Sequence, residues 1–206
     1  MKKSFSIKKI AYIAICTALV CLATAYIKIP NLTFDGFINL GDVFVIISGV
    51  YFGPFVGIFA GGVGSMLGDV LAGYPYWAPF TLFIKSLMGL FAALIGNKSF
   101  KKIALYKNGN KKDVLKIILA MFVVELTMVI LYFLFKWMMY NFHFFGKQVK
   151  EGSNALMIAA FSIKENILQA IGSILITIPL IFIKQLQAVV NNYYVDILPN
   201  EVNEKE

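Results

Sequence analysis

The 206-residue chain is 59% hydrophobic and 15% charged, with a mean hydropathy of +0.77. Soluble domains are about 45–50% apolar and about 25% charged, so this composition excludes a soluble or secreted domain and predicts an integral membrane protein. The net charge of +8 comes from lysines that lie between apolar stretches, which indicates membrane topology rather than nucleic-acid binding.

Six apolar stretches follow one another along the chain, and each is a candidate transmembrane helix. They cover residues 10–29, 40–52, 55–72, 79–96, 114–140 and 155–183. A crossing takes roughly 20 residues, so the second stretch is short. We therefore predict an all-α membrane protein with one compact six-helix bundle. The bundle covers residues 1–190, and a polar cytoplasmic tail covers residues 191–206.

The distribution of lysines predicts the orientation of this bundle. Four lysines precede or begin the first stretch, and six more lie between residues 98 and 112. With six crossings these two segments fall on the same side as the C-terminus, whereas the opposite loops carry only Lys28, Lys147 and Lys150. The positive-inside rule then gives an N-in, C-in topology.

Small residues line one face of the first stretch and two rows of the third. The first contains Ala11, Ala14, Ala18, Cys21 and Ala25 at steps of three and four. Small side chains let membrane helices approach closely, so this face either packs inside the protein or docks another membrane subunit. In the third stretch, glycines 57, 61, 64 and 68 predict close packing against two neighbouring helices.

Ionisable groups inside apolar stretches are costly and are therefore candidates for function. Glu125 lies in the middle of the fifth stretch, and Lys85 lies within the fourth. Either residue could contact a ligand or form a structural ion pair, and Asp69 is one possible partner for Lys85.

A polar stripe on the sixth stretch is a more specific signal. Ser162, Asn166, Gln169, Ser173 and Thr177 share one face at helical steps. The two amides offer donors and acceptors together, which suits a neutral heterocycle, although bonding between helices would explain the same pattern.

Weaker candidates lie at the predicted outer ends of the helices. Asn39 and Asp42 stand at the start of the second stretch, where a carboxylate either complements the helix N-terminus or contacts a ligand. Tyr74 and Trp77 fall where an aromatic belt is expected, and they could also stack on a planar ligand.

The sequence lacks the motifs of the common catalytic and nucleotide-binding sites. There is no Walker-type loop, no HExxH and no GxSxG. The single histidine, His143, has no cysteine or carboxylate near it in sequence, so no metal site is predicted. We therefore expect no enzyme activity, no catalytic residue and no cofactor.

The residues from Gly36 to Leu90 resemble a known family. This segment reads GFINLGDVFVIISGVYFGPFVGIFAGGVGSMLGDVLAGYPYWAPFTLFIKSLMGL. It is similar to the S components of bacterial energy-coupling factor (ECF) vitamin transporters, with their NLGD helix start, GP turn, glycine-rich helix and WAPFT–IK run. AICTA, with Ala14 and Ala18, looks like the AxxxA motif by which these proteins dock on the coupling subunit. Glu125 and the Asn166–Gln169 pair match positions recurrent in one branch.

The resemblance implies a substrate-binding membrane subunit in the bacterial cell membrane, with an outward-facing vitamin pocket. Its partners would be a transmembrane coupling subunit and two ATPase subunits. The resemblance is closer to members that bind vitamin B6 or the hydroxymethylpyrimidine precursor of thiamine, with Glu125, Lys85, Asn166 and Gln169 around the ring and Trp77 or Tyr74 stacking on it. Riboflavin-binding members carry a different run at INLGD and give the alternative substrate. A stand-alone ion-coupled transporter, using Glu125 or Asp69, is the alternative from another class.

Overall fold

The computed structural model describes residues 7–30, 37–105, 109–149 and 154–197. Within these ranges the chain is almost entirely helical. In chain order, the helices are α1 (Ile7–Tyr26), α2 (Gly41–Phe52), α3 (Pro54–Leu71), α4 (Ala78–Ala92), α5 (Lys98–Ala104), α6 (Lys111–Asn141), α7 (Ala155–Ile181) and α8 (Lys184–Ile197). A π-helical turn (Ala93–Asn97) joins α4 to α5, and a 3₁₀ turn (Phe144–Gly146) follows α6.

Each predicted apolar stretch corresponds to a helix. Five are long and apolar enough to cross a membrane: α1, α3, the continuous α4–α5 segment, α6 and α7, with 18 to 31 residues. Helix α2 is apolar but has only 12 residues. The protein is therefore an all-α, multi-pass membrane protein, while the sixth crossing and the N-in, C-in orientation stay predictions. Of the lysines that predict this orientation, Lys2, Lys3, Lys107 and Lys150 lie outside the described residues.

A short antiparallel hairpin joins α1 to α2. Its strands are β1 (Lys28–Pro30) and β2 (Phe37–Asn39), with Ile29 opposite Ile38. The hairpin leads directly into α2 and so places the end of β2 inside the bundle.

Glycines set the distances between α3 and its neighbours, as the sequence predicts. A methyl group at Gly57 or at Gly89 would overlap the backbone of the other residue, so α3 and α4 cross in backbone contact. Gly64 and Gly68 lie in the same way against α1. The prediction that the third helix packs closely against two neighbours is confirmed.

The bundle has two ends, which we name by their contents. The pocket end holds the hairpin, the start of α2, α4 and α7, and the end of α3 and α6. The α8 end holds the end of α2 and α7, the π-helical turn, and α8. At the α8 end, the amide of Asn97 donates to the Val50 carbonyl and to the Tyr194 hydroxyl, both at 2.8 Å. The Tyr194 hydroxyl donates in turn to the Tyr51 carbonyl at 2.8 Å.

Helix α8 is packed against the core rather than separate from it. Val190, Tyr193 and Tyr194 are buried, and Tyr193 packs edge to face on Tyr12 of α1 with ring centroids 4.9 Å apart. The predicted boundary between bundle and tail at residue 190 thus falls inside α8. Residues 198–206 of the predicted tail lie outside the described residues.

Candidate ligand site

A cavity that is open to solvent lies at the pocket end, with about 510 Å³ of empty space when the adjoining open solvent is included. It is bounded by the hairpin and by helices α3, α4, α6 and α7. Its lining combines aromatic, amide, hydroxyl and charged side chains. The lining residues are Phe37, Asn39, Asp69, Trp77, Thr81, Tyr132, Lys136, Ser162, Asn166 and Gln169.

Four of the eight predicted ligand-binding residues line this cavity: Asn39, Trp77, Asn166 and Gln169. The two amides of α7 are in different situations. The side chain of Gln169 is bonded at both ends, with Oε1 accepting from the Asn39 backbone N–H at 2.9 Å and Nε2 donating to Oδ2 of Asp42 at 2.6 Å. Asn166 makes no hydrogen bond to any described residue. Asn166 is thus the amide that has both of its polar groups available.

Lys85 and Asp42 lie beneath the cavity and form a buried ion pair. Asp42 is 0% and Lys85 2% exposed, and the ammonium contacts Oδ1 of Asp42. The partner of Lys85 is therefore Asp42 rather than Asp69, which lines the cavity at the end of α3. Asp42 does lie in the first turn of α2, but the helix has no side-chain capping bond at its N-cap residue, Leu40. The side chain of Asn39 bonds nearby, with Oδ1 accepting from the Gly41 N–H at 2.8 Å.

A pair of hydroxyls also belongs to the cavity lining. The Thr81 and Tyr132 hydroxyl oxygens are 3.1 Å apart and share a hydrogen bond. The ammonium of Lys85 lies 5.3 Å from the ring centroid of Tyr132, within the range of a cation–π contact. Lys85 therefore contacts one cavity wall while it is paired with Asp42.

Aromatic rings lie in and beside the cavity lining. Trp77 is buried against Tyr132, with ring centroids 5.7 Å apart, and its indole N–H has no partner among the described residues. Tyr74 lies beside the cavity rather than in its lining and packs on Phe37, with ring centroids 5.0 Å apart. Trp77 is therefore the ring placed to meet a ligand, and its N–H can donate to one.

Glu125 is buried deeper than the cavity lining. It is 2% exposed, and both of its carboxylate oxygens lack a hydrogen-bond partner in the part of the chain that the structure describes. It is close enough to Asp42 and Lys85 to interact with both electrostatically. Its contact with a ligand stays a prediction.

Several cavity residues escaped the sequence analysis as candidates. Lys136 is buried in the lining, although an ionisable group within an apolar stretch was a usable signal. Thr81 and Tyr132 carried no such signal, because their spacing on α4 and α6 resembles that of ordinary packing residues. For Asp69 the sequence suggested an ion pair with Lys85 or ion coupling in a stand-alone transporter, but not contact with a vitamin.

The two halves of the small-residue face of α1 differ in their exposure. Ala14 and Ala18 are exposed on the outside of the bundle, whereas Ala25, nearer the pocket end, is buried. Close packing within this chain therefore involves the second half of this face, and the first half is accessible.

A cavity lined by polar and aromatic side chains thus lies within a bundle of apolar helices. The chain belongs to the family of S components of ECF-type riboflavin transporters, whose family model matches residues 4–188. The members of this family are transporter components and not enzymes.

Two curated relatives match part of the chain. A Pyrococcus woesei protein named "Uncharacterized protein in gap 3'region" is 49% identical over 71 residues, covering 34% of this chain and 47% of the relative. A UPF0397 protein of Streptococcus pneumoniae (strain Hungary19A-6) is 32% identical over 117 residues, covering 56% of this chain and 60% of the relative. The chain thus spans about half the length of the curated relatives that it matches.

Proposed function

We propose that this chain is the substrate-binding subunit of an ECF-type importer in a bacterial cell membrane. It captures a small water-soluble vitamin or vitamin precursor in the cavity at the pocket end. The observation that carries the proposal is a cavity in a membrane bundle lined by an indole, amides, hydroxyls and two charged groups. Such a mixture of apolar walls and few convergent polar groups is typical of small-molecule sites.

The chemistry of the lining favours a small planar ring with polar substituents. Trp77 offers a ring face and a donor N–H, and Asn166 offers a donor and an acceptor that no described residue uses. Asp69 and Lys136 place opposite charges in the same cavity. A pyridine of the vitamin B6 type or hydroxymethylpyrimidine matches this inventory, because each carries ring nitrogen and hydroxyl groups on a compact ring.

Riboflavin is the second candidate, and the description of the matching family favours it. Its tricyclic ring would have to enter between Trp77 and the amides of α7. Native mass spectrometry of the gently purified protein, followed by calorimetric titration with pyridoxine, hydroxymethylpyrimidine and riboflavin, separates the two candidates. Binding of riboflavin alone would overturn the small-ring assignment, and binding of none of the three would overturn the proposed function.

Delivery of the ligand is proposed to require a transmembrane coupling subunit and two ATPase subunits. The exposed Ala14 and Ala18 support docking of the coupling subunit on α1, because small side chains permit close helix contact in lipid. Reconstitution of the chain alone and with these partners tests this. Uptake by the chain alone, driven by an ion gradient, would establish the stand-alone transporter instead.

The pocket end is proposed to face the outside of the cell. Single cysteines at Gly146 and at Gly109, introduced after replacement of Cys16 and Cys21 by alanine, lie at opposite ends of α6. A membrane-impermeant maleimide should label the first in intact cells and the second only after lysis. The reverse pattern would invert the topology.

A further inference from the structure

The buried ion pair beneath the cavity has a role that ligand contact does not explain. Neither Asp42 nor Lys85 lines the cavity, yet each contacts a residue that does: Asp42 accepts a hydrogen bond from Gln169, and the Lys85 ammonium lies over the ring of Tyr132. Resting on the proposed function of the cavity, we propose that Asp42 and Lys85 are positioning residues. They fix the orientation of Gln169 and the place of Tyr132, and so set ligand affinity without touching the ligand.

The side-chain amide of Gln169 has a hydrogen-bond partner at each end. An ionised carboxylate can only accept hydrogen bonds, so Asp42 requires the NH₂ group of Gln169 to point toward it. The oxygen of the same amide must then point toward the Asn39 N–H, 2.9 Å away. The carboxylate at position 42 and the Asn39 N–H thus together hold the Gln169 amide in one orientation at the cavity.

Lys85 links Asp42 to a residue of the cavity lining. Its ammonium holds Asp42 and also lies over the ring of Tyr132, whose hydroxyl bonds to that of Thr81. The ion pair joins α2 to α4, Gln169 adds α7, and Tyr132 adds α6. Four helices, three of which bound the cavity, therefore meet at one buried pair of charges.

The stability of the fold alone does not require charges at positions 42 and 85. Replacing a buried ion pair by apolar residues of similar volume is often neutral or stabilising, whereas removing one partner leaves an uncompensated charge. An apolar pair could fill the same space between α2 and α4. It could not accept a hydrogen bond from the Gln169 NH₂ group, so the amide would keep only its bond to the Asn39 N–H.

Two double variants separate positioning from packing. Asp42→Leu/Lys85→Met fills the space but removes the acceptor for Gln169. Asp42→Asn/Lys85→Gln removes both charges and keeps an acceptor oxygen at position 42, with a neutral hydrogen bond in place of the ion pair. Lys102→Met, at the α8 end, removes a 43% exposed lysine that pairs with the buried Asp113, and it is the control for loss of a lysine.

Calorimetric titration uses whichever of pyridoxine, hydroxymethylpyrimidine and riboflavin binds the wild type. We expect Asp42→Leu/Lys85→Met to lose about tenfold or more in affinity, as befits a misdirected polar group in a buried site. The Asp42→Asn/Lys85→Gln variant should stay within roughly threefold of the wild type. Wild-type affinity in both double variants would leave the pair a structural role only. The same loss of affinity in both would mean that the charges themselves contact the ligand. Either result overturns the proposal.

A second measurement needs no ligand. It therefore still tests the positioning role if none of the three compounds binds, a result that would refute only the proposed function. The chain has four glutamines, Gln148, Gln169, Gln185 and Gln187, so selective ¹⁵N labelling gives four side-chain amide signals. The signal that Gln169→Leu removes should be protected from hydrogen exchange in the wild type and in Asp42→Asn/Lys85→Gln. It should lose that protection in Asp42→Leu/Lys85→Met. If this last variant does not fold, loss of protection or of affinity in Asp42→Asn/Lys85→Gln overturns the proposal by itself.

Discussion

The two ends of the bundle use their polar side chains in opposite ways. At the pocket end, the Trp77 N–H and both oxygens of Glu125 are buried without a partner among the described residues, and Asn166 faces a cavity. At the α8 end, Asn97 and Tyr194 bond to the last turn of α2 and to each other. The first arrangement leaves hydrogen-bonding capacity for a ligand, whereas the second uses it to close the bundle.

This difference means that affinity and stability should respond to separate sets of substitutions. Polar residues that face the cavity should affect binding, and polar residues of the α8 end should affect unfolding. The ion pair beneath the cavity is the exception, because it belongs to the pocket end and is fully buried. The following substitutions test the division.

The largest effect is expected for Lys85→Met. This change leaves the Asp42 carboxylate buried without its counter-ion, which costs about 3–5 kcal/mol of stability. Thermal unfolding of the protein in nanodiscs measures it. The control is Lys102→Met, which removes the 43% exposed lysine of a 3.6 Å ion pair and should cost at most about 1 kcal/mol. Similar losses in the two variants would contradict the buried pairing.

At the α8 end, Asn97→Ala should lower stability and leave affinity unchanged. The change removes the donor to the Val50 carbonyl and to the Tyr194 hydroxyl, and a buried group left unsatisfied costs about 1–3 kcal/mol. Unfolding curves and calorimetric titration measure the two quantities on one sample. Asn192→Ala, on the exposed side of α8, is the matched control. A loss of affinity without a loss of stability would erase the distinction between the two ends.

At the pocket end, Asn166→Ala should have the opposite outcome. If the ligand bonds this amide, its removal costs about 1–3 kcal/mol of binding, or roughly a five- to 150-fold loss of affinity. The melting temperature of the empty protein should not change, because Asn166 makes no hydrogen bond to a described residue. Gln169→Ala should lower both quantities, since it breaks the bonds to Asn39 and Asp42. Unchanged affinity in both variants would remove the two amides from the site.

The smallest effect on either end is expected for Ala14→Leu/Ala18→Leu. Both alanines are exposed on α1, so stability and affinity should stay within about 0.5 kcal/mol of the wild type. Co-purification with the coupling subunit and vitamin uptake should nevertheless be lost. Ile15→Leu, at another exposed position of α1, should keep both. Normal assembly of the double variant would place the docking surface elsewhere.

Much of the fold could be predicted because its signals are local. Apolar length located the membrane helices, and glycine spacing predicted the close approach of α3 to α1 and α4. Helical steps placed Asn166 and Gln169 on one face of α7. Pairing over distance could not be predicted: Asp42 and Lys85 are 43 residues apart, and no spacing rule selects Asp42 over Asp69. Helix α8 was assigned partly to a tail because Tyr193 and Tyr194 lie among polar residues.

Because α2 has only 12 residues, it begins inside the bundle, and this depth affects how a charged ligand experiences the membrane potential. Asn39, just before α2, is bonded to Gln169, which lies 14 positions after Ala155 and hence about 21 Å along α7. Non-helical backbone at such depth is tolerated where it is buried in protein or lines a water-filled space. When water fills this cavity from the pocket end, most of the membrane potential falls across the packed half of the bundle that ends at α8. A charged ligand then reaches the cavity with little electrical work, and its further movement across the membrane involves about 2.3 kcal/mol per charge for each 100 mV. A neutral ring avoids that voltage-dependent step altogether.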